Sequence, residues 1–177
     1  MSRSPPGLSA ERLRRMTLTH YVDGVLPQPP SLPRRRNAAP WLAPHGLWPA
    51  LPSRSRACPA CLRENGGRWP LRWRLVWSFA CARHRVYLLG ACRGCGKGLH
   101  QFVPGPTDAV VCGQYLTHQV GHPCPRVVAH MRPARLSDEH LLGCQRRLNR
   151  IVEQPHHPGA QDILQSLHLA LEDIRVG

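Results

Sequence analysis

The chain has 177 residues, 24 basic against 10 acidic side chains, a formal net charge of +14, 19 prolines and 8 cysteines. A chain this rich in proline, with few aromatics beyond its tryptophans, is poorly supplied for one large hydrophobic core, so metals or disulfides are expected to staple smaller modules. The first thirty residues hold no uninterrupted apolar run of the kind a secretion signal needs, and no run anywhere is long enough to span a bilayer. That points away from disulfides and membranes and towards reduced, metal-bound cysteines in the cytoplasm, associated with the nucleoid. Arginine supplies nearly all the positive charge, with Lys97 the only lysine, and such an excess favours polyanions, above all nucleic acid.

In chain order, Met1–Leu8 offers nothing to bury. Ser9 then caps a short predicted helix, with Glu11 in its first turn and Leu13 and Met16 on one face. One or two turns need a partner, so residues 1–26 read as the tail of a helical region whose earlier part is missing. Residues 27–53 are a proline-dense linker, extended and irregular because each proline fixes φ and removes a donor. It carries Arg34-Arg35-Arg36, read as a solvated stretch in preference to a phosphate-contacting arm, and Trp41 and Trp48, expected to dock on the folded part.

Three pairs of soft ligands follow: Cys58/Cys61, Cys81/His84 and Cys92/Cys95. Two residues between donors let one turn aim both at a single ion, and two such pairs close a tetrahedral zinc site. Cys58, Cys61, Cys81 and His84 therefore form a first site within residues 54–90. Cys92 and Cys95 are half of a second, within residues 91–130, completed by Cys112 and Cys124, with His118 or His122 able to replace either. Two structural Zn2+ ions are implied. Between the first two pairs, Arg68–Trp77 fits two periods. Alternation puts Leu71, Trp73, Leu75, Trp77 and Phe79 on one strand face; a helix begun by Pro70 aligns Trp69, Trp73 and Trp77 and is preferred. In both readings the indoles build the small core, and Arg72 and Arg74 face outwards. Val86–Leu89 reads as a short strand, and Gly94, Gly96 and Gly98 permit tight turns at the second knuckle.

Residues 131–177 read as a helical hairpin. In the first helix Ser137 is the cap, Asp138 and Glu139 sit in the first turn, and Leu141, Cys144, Leu148 and Ile151 form the apolar stripe, with Cys144 a packing residue. Pro155–Gly159 breaks it. A second helix turns Ile163 or Leu164, Leu167, Ala170 or Leu171, and Ile174 inwards. The fold class is a small zinc-stabilised α+β protein: two tandem zinc-finger or zinc-ribbon-like modules flanked by short helices.

Arg56-Ala57-Cys58-Pro59-Ala60-Cys61-Leu62-Arg63-Glu64, the Trp69–Leu75 segment, Cys81 and His84, Leu88-Leu89, and Cys92–Cys95 with Gly96 together resemble the TniQ family of transposition proteins. The resemblance is densest at the centre and thinner from Leu8 to Pro27 and out to Cys124. Two positions depart from the usual pattern: Ala82 stands where a proline is usual, and Arg85 where a glycine is usual. With only the tail of the usual helical N-terminal region in view, the chain looks like a shortened member. The resemblance implies a non-catalytic target-selection adaptor linking target DNA, or a DNA-bound complex, to the transposase and its AAA+ ATPase regulator; a homodimer is allowed, and no membrane partner is implied. On this reading Arg72, Arg74, Arg83, Arg85 and Arg93 contact phosphates. One alternative is a general zinc-ribbon scaffold that binds nucleic acid or protein, the latter through its C-terminal helices. A remote one is a zinc nucleobase deaminase or nuclease. The first of these enzymes lacks its His-x-Glu partner here, and the second its clustered acids.

Overall fold

In the computed structural model the described residues are 9, 11, 17–21, 54–99, 110–114, 123–154, 162, 163 and 166. The proline-rich linker with Trp41, Trp48 and Arg34–Arg36, the stripe residues Leu13 and Met16, His118 and His122, and most of the predicted second C-terminal helix lie outside them. The chain divides into two units, Met1–Ser31 with Ile151–Gly177, and Leu32–Arg150. In the first unit Glu11 is helical behind Ser9, Leu18–Tyr21 is a 3-10 turn with Leu18 buried, and Asp162, Ile163 and Ser166 are helical. Ile163, one of two residues expected to face inwards, is half exposed.

The second unit is built around the extended segment Ser55–Cys58, whose backbone is shared among three neighbours. Ser55 N–H donates to Leu99 O at 2.9 Å, Arg56 N–H to Trp73 O at 3.1 Å, and Ala57 and Leu89 exchange both bonds at 2.9 and 2.8 Å. Cys58 then leads into helix α1 (Pro59–Glu64), with Pro59 at its first position, where the missing donor costs nothing. Asn65 N–H bonds Cys61 O, and Gly66 and Gly67 at φ 67° and 79° turn the chain out of the helix.

Neither period expected for Arg68–Trp77 is realised as regular structure. Trp73 N–H bonds Pro70 O, Leu75 N–H bonds Arg72 O, and Ser78 N–H bonds Leu75 O, giving a 3-10 helix at Leu71–Arg74 followed by a further turn. The preferred α-helix is excluded because side chains take its acceptors. The Arg56 guanidinium donates to Val76 O at 2.9 Å and Ser78 O at 2.5 Å, and Ser78 Oγ donates to Arg72 O at 2.6 Å. Burial nevertheless follows the alternating set at Trp73, Leu75 and Trp77, which are all buried, while Trp69 packs edge-on to Trp73 with ring centroids 6.2 Å apart.

Strands β1 (Ala80–Cys81) and β2 (Val86–Tyr87) form a two-stranded antiparallel hairpin. Ala57, Cys58, Leu62, Trp73, Leu88, Leu89, Leu99, Cys112, Cys124 and Val128 make one apolar core. It contains residues from both cysteine groups, so the expected tandem modules are joined through a shared interior. A 3-10 turn at Val128–His130 packs against α1, and Arg63 reaches across to Ala129 O.

Helix α2 (Glu139–Glu153) follows the predicted pattern with two corrections. Its cap is Asp138, not Ser137: Asp138 Oδ1 accepts from His140 N–H at 2.8 Å and Leu141 N–H at 3.1 Å, and the carboxylate also suits the positive end of the helix. Its deepest face is Leu142 and Gln145, one residue on from Leu141 and Cys144, which are only half buried. Leu142 packs with Ala80 and Leu136. Gln145 is completely buried, its Oε1 accepting from Phe79 N–H at 2.9 Å and Ala80 N–H at 3.0 Å while Nε2 donates to Asn149 Oδ1 at 3.0 Å. Among the described residues no helix is long and apolar enough to cross a membrane.

Candidate metal centres

Cys58 and Cys61 are placed by the start of α1, the first just before the helix and the second within its first turn. Cys81 and His84 come from the β1–β2 hairpin. That hairpin reverses over four residues with Arg85 N–H bonded to Cys81 O at 2.8 Å, and Arg85 itself has φ 55°. The left-handed backbone explains why glycine is the usual residue there in the resemblance, since a side chain is disfavoured in that region.

The four donor atoms converge. Cys61 Sγ lies 3.6 Å from Cys81 Sγ, and His84 Nδ1 lies 3.5, 3.3 and 3.4 Å from the sulfurs of Cys58, Cys61 and Cys81. A tetrahedron with zinc–sulfur bonds of about 2.3 Å and a zinc–nitrogen bond of about 2.0 Å has sulfur–sulfur edges of about 3.8 Å and sulfur–nitrogen edges of about 3.5 Å. The separations fit that solid and are far too long for a disulfide, whose sulfurs lie about 2.05 Å apart; all the cysteines are free. Four protein donors leave no coordination position for a water or substrate.

The other nitrogen of His84 is also engaged. Nε2 sits 2.8 Å from Glu64 Oε1, and Glu64 Oε2 pairs with Arg83 Nη2 at 3.0 Å. A carboxylate on the far nitrogen fixes the tautomer that presents Nδ1 to the sulfurs and raises its basicity. Burial works against a charged His84, but the bonds to Glu64 and Cys81 outweigh it and its pKa is raised; the same bond from His84 lowers that of Glu64. Hydrogen bonding from Cys58 lowers the Cys81 thiol to about 4, while Cys58 is pushed up by that bond and by burial, and Cys61 is raised to about 11, chiefly by burial.

The second group is assembled differently. Cys92 and Cys95 lie on a knuckle closed by Cys92 N–H to Lys97 O and Gly96 N–H to Cys92 O, both at 2.8 Å, with Gly96 at φ 70°. Cys112 and Cys124 face each other across an irregular ladder. Cys112 N–H bonds Arg126 O at 2.8 Å, Gly113 N–H bonds Cys124 O at 3.0 Å, and Cys124 N–H bonds Gln114 O at 2.8 Å. The sulfurs of Cys92 and Cys124 are 3.9 Å apart and those of Cys95 and Cys112 3.7 Å, again the edges of a zinc–thiolate tetrahedron. All four donors of each group lie within 4.8 Å of one another. Burial opposes ionisation of Cys92, but the backbone N–H groups of Cys95 and Gly94 prevail and lower it to about 7; burial raises Cys112 and Cys124. When bound, zinc would hold all these sulfurs as thiolates and tie each loop to its neighbour.

Residues 5–88 match the TniQ family model. Over that stretch the chain is similar to TniQ proteins. The match covers a little under half of the chain, takes in the whole first ligand group and stops before Cys92, so the second group lies beyond it. It supports a role associated with transposition. No curated protein and no solved structure is significantly similar to the chain.

The five arginines expected to contact phosphates occupy different settings. Arg83 is exposed and pairs with Glu64, and Arg85 is exposed and pairs with Glu139. Arg93 is exposed on the second knuckle. Arg72 and Arg74 are half buried beside Trp73, and burial lowers the pKa of Arg74. Sequence reasoning missed Glu64 as a partner of His84, and missed that Arg56 is spent on backbone carbonyls. The only signal for Glu64 was its place in the CPxCLxE run.

Proposed function

We propose that this chain is a non-catalytic adaptor for transposon target-site selection, bridging target DNA or a DNA-bound complex to the transposase and its AAA+ ATPase regulator. Two structural zinc ions, one held by Cys58, Cys61, Cys81 and His84 and the other by Cys92, Cys95, Cys112 and Cys124, would maintain its central unit. The observation that carries this reading is the TniQ match over the first ligand group, in which four protein donors already complete a tetrahedron. A zinc that polarises a substrate keeps one position open; this arrangement gives it none.

The adaptor needs a surface for nucleic acid and one for protein. Arg83, Arg85 and Arg93 are the exposed members of the phosphate-contacting set, with Arg72 and Arg74 at its half-buried edge. Such contacts position a protein on the backbone without reading sequence. The test is a pair of binding measurements with the zinc-loaded full chain, against duplex DNA over a salt series and against the transposition ATPase of the same element. Affinity for both, with the DNA term falling as salt rises, supports the adaptor. Binding to neither contradicts it, and binding to protein alone favours a scaffold that uses its C-terminal helices.

A further inference from the structure

Beside the second candidate metal centre a cleft of about 540 Å³ opens between the knuckle and the irregular segment that follows Cys124. It is lined by Arg93 and Gly94 on one side and by Arg126, Val127, His130 and Met131 on the other. Arg93, Arg126 and His130 are all exposed. The salt bridges among the described residues involve none of the three. Nor does Asp or Glu occur anywhere in the described parts of this module, residues 91–99, 110–114 and 123–136. The same stretches carry Lys97, Arg132 and Arg135 besides.

The position of Arg126 is set by the knuckle. A Cβ placed on Gly94 would come within 2.6 Å of Arg126 Cγ and 3.1 Å of its Nε, so the arginine lies across the glycine in space that a side chain at 94 would occupy. Gly94 N–H is meanwhile committed to Cys92 Sγ at 3.3 Å, which ties the floor of the cleft to the metal ligands. Two guanidinium groups with no acidic partner among the described residues, one on the knuckle and one on the segment that follows Cys124, form a receptor for a doubly contacted anion: planar forks suit phosphate oxygens, and half-buried Val127 and Met131 give the adjoining sugar an apolar wall.

We propose that this cleft seats the phosphodiester backbone of a nucleic acid, with Arg93 and Arg126 each contacting phosphate and His130 in the wall. The proposal rests on the nucleic-acid half of the adaptor reading and assigns it a site. An acidic protein segment is the competing occupant. The absence of acids from the described parts of the module, with no buried anchor for a peptide side chain among the cleft residues, favours the repeating charge of a polynucleotide.

The experiment uses the zinc-loaded full chain and fluorescence anisotropy with labelled mixed-sequence duplex DNA, single-stranded DNA and RNA of equal length, plus a poly-glutamate peptide. Arg93→Ala/Arg126→Ala is compared with Arg146→Ala/Arg147→Ala, which removes the same charge from exposed positions on α2, and with Arg93→Lys/Arg126→Lys. Gly94→Ala is added because it displaces Arg126 without changing charge. Zinc content of each variant verifies the fold. On duplex DNA the alanine cleft pair should lower the slope of log affinity against log salt by about two, and weaken binding roughly tenfold or more at about 100 mM salt. Gly94→Ala should weaken binding in the same direction, and the lysine pair should keep most of the slope. The control pair should shift affinity much less. The three nucleic acids distinguish which polynucleotide supplies the phosphates. If the wild-type chain binds DNA but the alanine cleft pair matches it, or matches the control pair, the cleft is overturned while the adaptor survives. Loss of poly-glutamate binding with nucleic-acid binding intact overturns it in favour of an acidic protein. A wild-type chain that binds no nucleic acid overturns both.

Discussion

His84 is held from both sides, by three sulfurs at Nδ1 and by Glu64 at Nε2. If that carboxylate orients the ring, Glu64→Gln should lower zinc affinity at the first site by about 10–100-fold, read by competition with a chromophoric chelator. Arg83→Ala, which touches only the other oxygen of Glu64, should do less; equal retention in Glu64→Gln and wild type would contradict the role. Arg85 makes a second prediction at this scale. At φ 55° it occupies backbone that disfavours β-branched residues. Arg85→Val should therefore be less stable than Arg85→Gly by about 1–2 kcal/mol in chemical denaturation. The converging donors were legible in the sequence, six of them because a two-residue spacer states its geometry locally and Cys112 and Cys124 only as candidates for the missing half. Glu64 and Arg56 were not, since their partners lie in distant turns that spacing cannot bring together.

At the scale of elements, α2 is fastened by a polar residue. Gln145 satisfies the N–H groups of Phe79 and Ala80 at the edge of the hairpin that carries Cys81 and His84. Gln145→Leu would keep the volume and leave both donors unpaired, at about 1–3 kcal/mol for each buried group. The expected loss is about 2–4 kcal/mol in urea unfolding, and a neutral result would show that the two N–H groups find other acceptors. The cap is tested by Asp138→Ala, expected to cost about 1 kcal/mol, against Ser137→Ala, expected to cost little. The helix was legible from its apolar period, but its phase was misread by one position because the deepest residue is a glutamine, which a hydrophobic stripe does not register. The Trp69–Trp77 segment failed for a related reason. Its backbone acceptors are taken by Arg56 and Ser78, so neither regular period could form, although the alternating set correctly marked the buried indoles.

Across the central unit, Leu32–Arg150, the two ligand groups share one interior, with Cys58, Cys81, Cys92, Cys112 and Cys124 in the same apolar cluster as Trp73 and Val128. Metal binding at either group is then coupled to the packing of both. Chelation should collapse the near-UV circular dichroism of the tryptophans in one transition, and Cys112→Ser should weaken zinc retention at the first site as well as the second. Two independent transitions would mean that the shared core does not couple them. Composition pointed to metal as compensation for a small core, but it could not show that both donor groups close on the same one, because that depends on α1 meeting the Val128–His130 turn.

The central claim is that both groups are closed tetrahedral staples. Zinc K-edge absorption on the purified chain, with metal content measured on the same sample, tests it most directly. The account predicts two zinc ions per chain, four-coordinate, with sulfur at about 2.3 Å and an average of about one nitrogen ligand for every seven sulfurs. A single ion, or an oxygen from water in either first shell, would contradict it.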